Sequence, residues 1–314
     1  MTERSQRILR VAAIFGLLSV VVFARVHEST RFAHALQKLA HPLTFGAIAL
    51  LFLTVLEHSA PRHLRSYLAA FGLTVLCGGG TEVAQSFVGR DASLLDVLRD
   101  ALGASTALLG FATLVPGRDA TRGEWRATGM LLAFLGFAVM VAPISIALAA
   151  YARRDLRFPT LLEACSSLDR YFVRGGGADV SVVQTGATAS SCGNVFRVDF
   201  TAAPYTGLHL EEPYPDWRTA QILVLNLRNP GDLDLPLAVR VHDRAHNLQF
   251  RDRFNREFTL RGNERLEVSI PITEIEHAPV GRLLDLSHIA GIAVFRDRGT
   301  MAGSFEVERI LLRR

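Results

Sequence analysis

Six polar residues with useful chemistry lie at the edges of strongly apolar segments in the first third of the chain. They are Lys38, His41, Glu82, Gln85, Arg90 and Asp96. Lysine and arginine bind phosphate or pyrophosphate, whereas histidine and carboxylate side chains transfer protons. A charge near the centre of a membrane costs roughly 3 kcal/mol, so these residues predict a site that holds a polar headgroup.

The spacing of these residues supports a shared site. Lys38 and His41 are three residues apart, as are Glu82 and Gln85, so each pair lies on one face of a helix. Lys38 is also the only lysine in the chain, and a buried lysine, unlike an arginine, can lose its proton. The alternative is a buried ion network that locks the helices together.

The stretch after Gln85 offers a structural role for part of the set. Ser93 and Asp96 fit the capping-box pattern, in which both side chains bond the backbone at the start of a helix. Asp96, Asp100 and Gly103 then recur at helical spacing on one face. Capping and a functional role are compatible, so the pattern leaves both open.

Five apolar segments must position these residues. They cover residues 8–24, 42–57, 67–88, 97–115 and 128–151, and each predicts a membrane-spanning helix, although the second is short and the fourth carries charge. The first also has features of a signal peptide, since arginines precede an apolar core, but no clear small-x-small cleavage site follows. We therefore expect this helix to be retained.

The distribution of basic residues predicts the orientation of these helices. Arginines concentrate before the first segment and in the loops at 58–66 and 116–127, which favours a cytoplasmic N-terminus. The expected location is the inner (cytoplasmic) membrane, with several spans and the whole C-terminal half outside the cytoplasm. Membrane lipids are then expected partners.

A dispersed motif connects the polar residues in chain order. It reads Lys38-x-x-His41, Glu82-x-x-Gln85-x-Phe87, Gly89-Arg90, Ser93, Asp96 and Gly103. The motif resembles the VanZ-like family of small membrane proteins, which is associated with resistance to glycopeptide antibiotics and has no established biochemical activity. The resemblance covers roughly the first helix through Val115 and implies a role in the cell envelope. Where such proteins usually carry asparagine, this chain has Asp100.

The character of the chain changes after the fifth apolar segment. Short runs rich in Val, Ile, Leu and Phe predict strands at 180–183, 194–200, 221–226, 238–243, 257–260, 266–270, 289–295 and 304–312. Many short strands at regular spacing predict an all-β sandwich or jelly roll. The expected domains are a helical membrane bundle at 1–152, a linker with a short helix (160–172) at 153–175, and an extracytoplasmic sandwich at 176–314.

Three parts of this half resemble a carbohydrate-binding or galactose-binding-like jelly roll. They are Trp217 before QILVLNLRNP, the strand in LDLSHIAGIAVF and the closing FEVERILLRR. A glycan site needs aromatic platforms with polar edges. The candidate platforms are Tyr205, Tyr214, Trp217 and Phe254, and the candidate edges are Asp243, Arg244, His246, Arg251 and Asp252. The alternative is that these aromatic residues are core or loop anchors.

The cysteines and histidines point to little further chemistry. Cys77 falls in an apolar segment, whereas Cys165 and Cys192 lie in the half expected outside, where a disulfide is permitted. His242 and His246 are four residues apart but lie in a predicted strand and its turn, so we predict neither a metal nor a cofactor. The scattered arginines form no run typical of nucleic-acid binding.

These patterns leave three hypotheses. The first is an envelope protein that binds a glycan or a lipid-linked precursor at the outer membrane face. The second is a membrane hydrolase or transferase acting on a lipid-linked phosphate or glycan headgroup, with His41 or Glu82 as base and Lys38 and Arg90 as an electrostatic clamp. A transporter ranks last, because the sequence shows no repeat of broken helices.

Overall fold

The computed structural model divides the chain into two compact units. It describes residues 3–23, 30–56, 64–87, 93–114, 123–186, 188–201, 203–296 and 303–314. One unit extends to Leu148 and the other runs from Ala149 onward. The predicted site residue Arg90 lies outside the described residues.

The first unit is built from long helices. They are α1 (Glu3–Phe23), α2 (Arg31–Leu56), α3 (Leu64–Phe87), α4 (Leu94–Leu114) and α5 (Gly123–Leu156), of which the last part, from Ala149, belongs to the second unit. The five predicted helices are therefore confirmed as helices. Within the described residues, the four ranges 31–56, 64–87, 94–114 and 125–156 are long and apolar enough to cross a membrane. Whether any of them does so stays a prediction.

Helix α2 differs from its prediction. It begins at Arg31, well before the expected start at Pro42. Pro42 therefore lies inside the helix, where its missing N–H removes one backbone hydrogen bond. The helix continues because its buried face recurs at helical spacing through Phe45, Ile48, Ala49 and Leu53.

Glycines set the distance between α2 and α4. A Cβ on Gly103 would lie 2.0 Å from the carbonyl oxygen of Pro42 and 2.7 Å from its Cα. A Cβ on Gly46 would lie 3.1 Å from the carbonyl oxygen of Gly103. Small residues let helix backbones approach in this way. The backbone of α2 at Pro42 therefore lies directly beside Gly103 of α4.

The second unit is an antiparallel β-sandwich, as predicted. Its strands are β1 (Thr160–Leu162), β2 (Val173–Gly176), β3 (Ala178–Gln184), β4 (Asn194–Phe200), β5 (Thr206–Glu211), β6 (Ile222–Arg228), β7 (Leu235–Asp243), β8 (Phe254–Leu260), β9 (Arg265–Pro271), β10 (Ile289–Arg296) and β11 (Ser304–Arg313). One sheet has the order β3-β4-β11-β6-β9, with β1 paired to β11. The other sheet has the order β2-β5-β10-β7-β8.

The core of the sandwich comes from alternate residues of both sheets. Leu208, Val239, Val294 and Phe305 are fully buried, as is Trp217 from the loop after β5. Because successive strand residues point to opposite faces, the residues between them form the outer faces of the sheets. The second sheet therefore presents the neighbours of Leu208, Val239 and Val294 on its outer side.

The start of this half departs from the expected linker and helix. Residues 160–172 form β1 and a 3-10 helix (Ser167–Phe172), and β2 follows directly. β1 pairs with β11 and β2 pairs with β5, so this segment belongs to the two sheets. Cys165 and Cys192 form a disulfide with a Cα–Cα distance of 5.6 Å.

The close approach of α2 and α4 generates a prediction. Gly103→Ala places a methyl group against the backbone of Pro42, so it should lower the thermal unfolding midpoint of the full chain in detergent by several degrees. Gly79→Ala is the matched control, because a Cβ there meets nothing within 4 Å and alanine favours a helix. Equal midpoints for the two variants would contradict the packing described here.

Candidate functional site

Two predicted site residues of the helical unit, His41 and Glu82, lie close to Asp100. Asp100 is fully buried, and the Nδ1 atom of His41 lies 3.6 Å from its Oδ1. Glu82 is 4 % exposed and close enough for its charge to act on Asp100. Gly78 leaves room for the carboxylate, since a Cβ there would lie 3.2 Å from Asp100 Oδ2. We refer to His41, Glu82 and Asp100 as the bundle cluster.

The predicted residues of the helical unit also bond to other helices or to nearby side chains. Glu82 Oε2 accepts a hydrogen bond of 2.6 Å from the backbone N–H of Ser93 at the start of α4. A carboxylate at a helix N-terminus is favoured by the helix dipole. Gln85 donates a hydrogen bond of 3.0 Å to the carbonyl of Val21 in α1, and Asp96 pairs with Arg99. These contacts tie α1, α3 and α4 together.

The bundle cluster combines an ion pair with a backbone hydrogen bond, although Glu82 Oε1 and both carboxylate oxygens of Asp100 make no hydrogen bond among the described residues. Lys38 is exposed one turn before His41, and Arg90 lies outside the described residues, so the proposed phosphate clamp is not assembled by the described part of the chain. Asp100 was not among the predicted site residues. Its spacing from Asp96 and Gly103 on one helix face was the available signal.

In the sandwich, two predicted aromatic platforms are core residues. Trp217 is fully buried and donates a hydrogen bond of 2.8 Å from Nε1 to the carbonyl of Tyr214. Phe254 is 2 % exposed within the core. Neither ring can stack on a ligand, so these assignments are corrected. Tyr214 is half-buried and packs against Phe158, whereas Tyr205 is exposed.

The predicted polar edge is split between a closed ion network and exposed side chains. Arg282 bonds both oxygens of Asp243, at 2.6 and 3.0 Å, and reaches Asp252 at 2.5 Å. His246 Nδ1 lies 3.0 Å from the carbonyl oxygen of Asp252. Asp243 and Asp252 therefore hold loops in place. The remaining two predicted residues, Arg244 and Arg251, are exposed.

The pKa values in this network follow from its hydrogen bonds. The guanidinium of Arg282 lowers the pKa of Asp252 to about 2, with help from the backbone N–H of Asn247. The two carboxylates in turn raise the pKa of Arg282. The network is thus fully ionised across the neutral range and has no group left to bind a ligand charge.

A different polar surface lies on the outer face of the second sheet. Residues opposite one another across its five strands form a single row, which runs Arg174, His209, Ala293, Arg240 and Asn255. A second row holds Glu211, Gly291 and His242, and Arg253 directly precedes β8 beside it. We call these residues, with Tyr205, Phe250 and Phe295, the polar face.

Glycines lie beneath several side chains of the polar face and let them come close to the sheet backbone. A Cβ on Gly291 would lie 2.5 Å from the His242 ring, and a Cβ on Gly176 would lie 2.5 Å from His209 Nε2. A Cβ on Gly207 would lie 2.5 Å from the Cβ of Phe295. These three side chains therefore occupy space that glycine leaves open.

Several polar atoms of this face have no protein partner. Among the described residues, His242 Nδ1, Arg253 Nε and Asn255 Oδ1 make no hydrogen bond. The other end of the Asn255 amide does, donating to the carbonyl of Phe250 at 3.1 Å. An unsatisfied buried polar atom costs about 1–3 kcal/mol, so such a group is expected where a ligand or water completes the bonding.

Burial and neighbouring positive charge shift the pKa values on this face. Burial, followed by the charges of His246, Arg240 and Arg253, lowers the pKa of His242 to about 4. Burial and Arg240 also lower the pKa of His209. Both imidazoles are therefore neutral near pH 7, and each can donate one hydrogen bond and accept another.

Most of the polar face was not predicted from the sequence. Its signal was the alternation in β7 and β5, where Arg240 and His209 each stand between apolar residues and His242 follows Val241. A period of two indicates a strand with one polar side. It does not show which polar side chains find partners on other strands.

The bundle cluster can be tested by a double-mutant cycle. His41→Ala leaves the buried carboxylate of Asp100 without its partner and should destabilise the chain by roughly 3–5 kcal/mol in detergent unfolding. Adding Asp100→Asn should recover part of this loss, because the amide carries no charge. Lys38→Ala is the control, and its exposed position predicts a change within about 0.5 kcal/mol. Additive losses in the double variant would exclude the pairing.

The low pKa of His242 predicts how stability depends on pH. The unfolded chain binds a proton on this histidine below pH 6.5 whereas the folded chain does so only near pH 4. Stability should therefore fall as the pH drops from about 6.5 to 4, by at most about 1.4 kcal/mol per pH unit from this group. His242→Gln should reduce the slope, and the exposed His277→Gln should not. An unchanged slope in His242→Gln would refute this assignment.

Known proteins resemble this chain in structure, but no family is identified. No family model matches the chain, and no curated protein matches it, so the VanZ-like resemblance stays a resemblance carried by its motif residues. Similar solved structures are carbohydrate-binding modules and glycoside hydrolase domains.

Three of these structures illustrate the similarity. An exo-β-agarase is 14 % identical, with a TM-score of 0.40, over 49 % of this chain and 24 % of its own. A family 11 carbohydrate-binding module from Clostridium thermocellum, in complex with a β-1,3-1,4-mixed-linked tetrasaccharide, is 20 % identical, with a TM-score of 0.34, over 45 % of this chain and 86 % of its own. A family 30 module of a cellulosomal cellulase from Clostridium thermocellum is 14 % identical, with a TM-score of 0.34, over 45 % and 90 %. At these values the likenesses establish no ligand for this chain.

Proposed function

We propose that this chain is a membrane-attached protein of the cell envelope that binds a polysaccharide on the polar face of its β-sandwich. The observation that carries the proposal is the set of polar atoms without protein partners at His242, Arg253 and Asn255. Sugar hydroxyls both donate and accept hydrogen bonds, so a glycan supplies partners for imidazole, guanidinium and amide groups together.

The outer face of the first sheet provides the contrast. Its charged residues pair across strands, as Arg228 does with Glu306 at 3.3 Å and Arg313 with Glu267 at 2.8 Å. Those four side chains already have partners, although Glu308 Oε1 and Arg309 Nε in β11 of the same sheet make no hydrogen bond among the described residues. The polar face differs because its half-buried side chains combine unsatisfied groups with the exposed ring of Tyr205, which is 54 % accessible. Aromatic rings with a polar neighbour are the usual components of a sugar-binding surface.

The membrane part of the proposal rests on the helices and on the disulfide. Four helices are long and apolar enough to cross a membrane, and the loop arginines favour a cytoplasmic N-terminus. The disulfide between Cys165 and Cys192 is typical of an oxidising compartment, which supports a location of the sandwich outside the cytoplasm. In this arrangement the helices would anchor the chain in the membrane.

The alternative of a membrane hydrolase or transferase has weaker support. It needs His41 or Glu82 as an accessible base, but both are buried, and Glu82 is bonded to the backbone of α4. A lipid-linked precursor as ligand of the bundle cluster lacks support for the same reason. Resistance to glycopeptide antibiotics would follow only from the family resemblance.

The proposal predicts glycan binding that depends on the polar face. The full chain in detergent should bind at least one polysaccharide in a panel containing peptidoglycan, β-glucan, xylan and acidic polymers, measured by immobilised-glycan binding and calorimetry. Asn255→Ala and His242→Ala should each weaken that binding about 5- to 10-fold, because each removes one hydrogen-bonding group.

A change on the opposite sheet serves as the control for this test. Arg197 lies in β4, is partly exposed and pairs with Asp199 at 3.0 Å. Arg197→Gln should therefore leave glycan affinity unchanged. Absence of binding across the whole panel, with the protein folded, would refute the proposed function.

A further inference from the structure

Arg253 is the least compensated cation on the polar face. Its side chain is half-buried, and its Nε has no hydrogen-bond partner among the described residues. No carboxylate of the described residues forms an ion pair with it, in contrast to Arg174, which pairs with Glu211 at 3.1 Å on the same face. A guanidinium removed from water is stable only when an anion or several acceptors surround it.

The groups around Arg253 are rings and neutral polar side chains. Its guanidinium carbon lies 5.6 Å from the centre of the Phe250 ring, and Tyr205 is close enough to interact with its charge. Across the sheet, His242 stands beside it, and burial together with surrounding cations keeps this imidazole neutral. Burial also lowers the pKa of Arg253 itself, which is the direction expected for a cation without a counterion.

The aromatic neighbours suit a sugar ring next to the charge. Tyr205 and Phe250 are 54 % and 67 % accessible, so both present ring area to a ligand. Tyr205 also has a φ of 56°, a left-handed backbone conformation that is uncommon for a residue other than glycine. Such strained positions are found more often at ligand-binding sites, where the fold holds a side chain in place.

We propose that the polar face recognises an acidic glycan, with Arg253 binding its carboxylate or phosphate and Tyr205 and Phe250 contacting the adjacent sugar. The proposal rests on the proposed glycan-binding function and adds the charge class of the ligand. A planar guanidinium binds a carboxylate or a phosphate through two parallel hydrogen bonds, and Asn255 and His242 then bond neighbouring hydroxyls. A bound anion would give the half-buried guanidinium an ion-pair partner.

The test compares one polymer in charged and uncharged forms. The full chain in detergent is titrated with polygalacturonate fragments and with the same fragments fully methyl-esterified, which removes the charge and keeps the sugar backbone. The expected result is at least 10-fold tighter binding of the acid form, with an affinity that falls as salt is added. A polyglycerol phosphate of similar length forms a parallel arm that distinguishes phosphate from carboxylate as the preferred anion.

Two variants assign the effect to the proposed residue. Arg253→Gln should weaken binding of the preferred acidic polymer at least 10-fold and abolish its preference over the uncharged form. Arg251→Gln is the matched control, since this arginine is two residues away and exposed in the 3-10 helix of 250–252, and it should change the affinity less than 2-fold. Circular dichroism and the unfolding midpoint show that each variant is folded.

The possible outcomes separate the inference from the proposed function. Equal binding of the acid and ester forms would overturn the inference while leaving glycan binding intact. Tight binding of an acidic polymer that Arg253→Gln does not weaken would also overturn it, because another residue would then bind the anionic group. Failure to bind any polymer, charged or neutral, would overturn both proposals.

Discussion

A charge removed from water must be compensated, and this constraint governs both units of the protein. In the helical unit, Asp100 is fully buried and lies beside His41, and Glu82 uses its carboxylate to bond the start of α4. In the sandwich, Arg282 holds Asp243 and Asp252 together. Each of these groups contacts a residue of another helix or a distant loop, although both carboxylate oxygens of Asp100 make no hydrogen bond among the described residues. The ion pairs thereby specify which elements lie next to one another.

The same constraint requires close packing, which is why glycine recurs beside the polar groups. Gly103 lets α4 approach the backbone of α2, and Gly78 makes space for the Asp100 carboxylate. On the second sheet, Gly291 and Gly176 leave room for the rings of His242 and His209. At Gly78, Gly176 and Gly291 a Cβ would crowd the polar side chain, whereas at Gly103 it would meet the backbone of Pro42. Glycine in a helix or strand costs about 1 kcal/mol relative to alanine, so it is expected there where close packing requires it.

The elements were far easier to predict than the site. The apolar segments matched helices, and the strand predicted at 194–200 has the bounds of β4, because local hydrophobic periodicity determines such elements. β2 and β5 were missed, since VRGG and TGLHLE carry glycines that lower strand propensity. Trp217 was misassigned for another reason: its burial depends on a loop folding over the core, and this is not visible in its neighbours in the sequence.

Two arginines show how long-range pairing decides which charges find a partner. Arg282 and Arg253 are both partly buried on the second unit. Arg282 meets Asp243, 39 residues away, and also Asp252, and these pairs stabilise loops. Arg253 lies beside a ring and a neutral histidine, because β8 pairs with β7 and so brings it next to His242. Asp252 precedes Arg253 in the chain but pairs with Arg282, so sequence neighbours alone do not show which of the two arginines lacks an ion pair among the described residues.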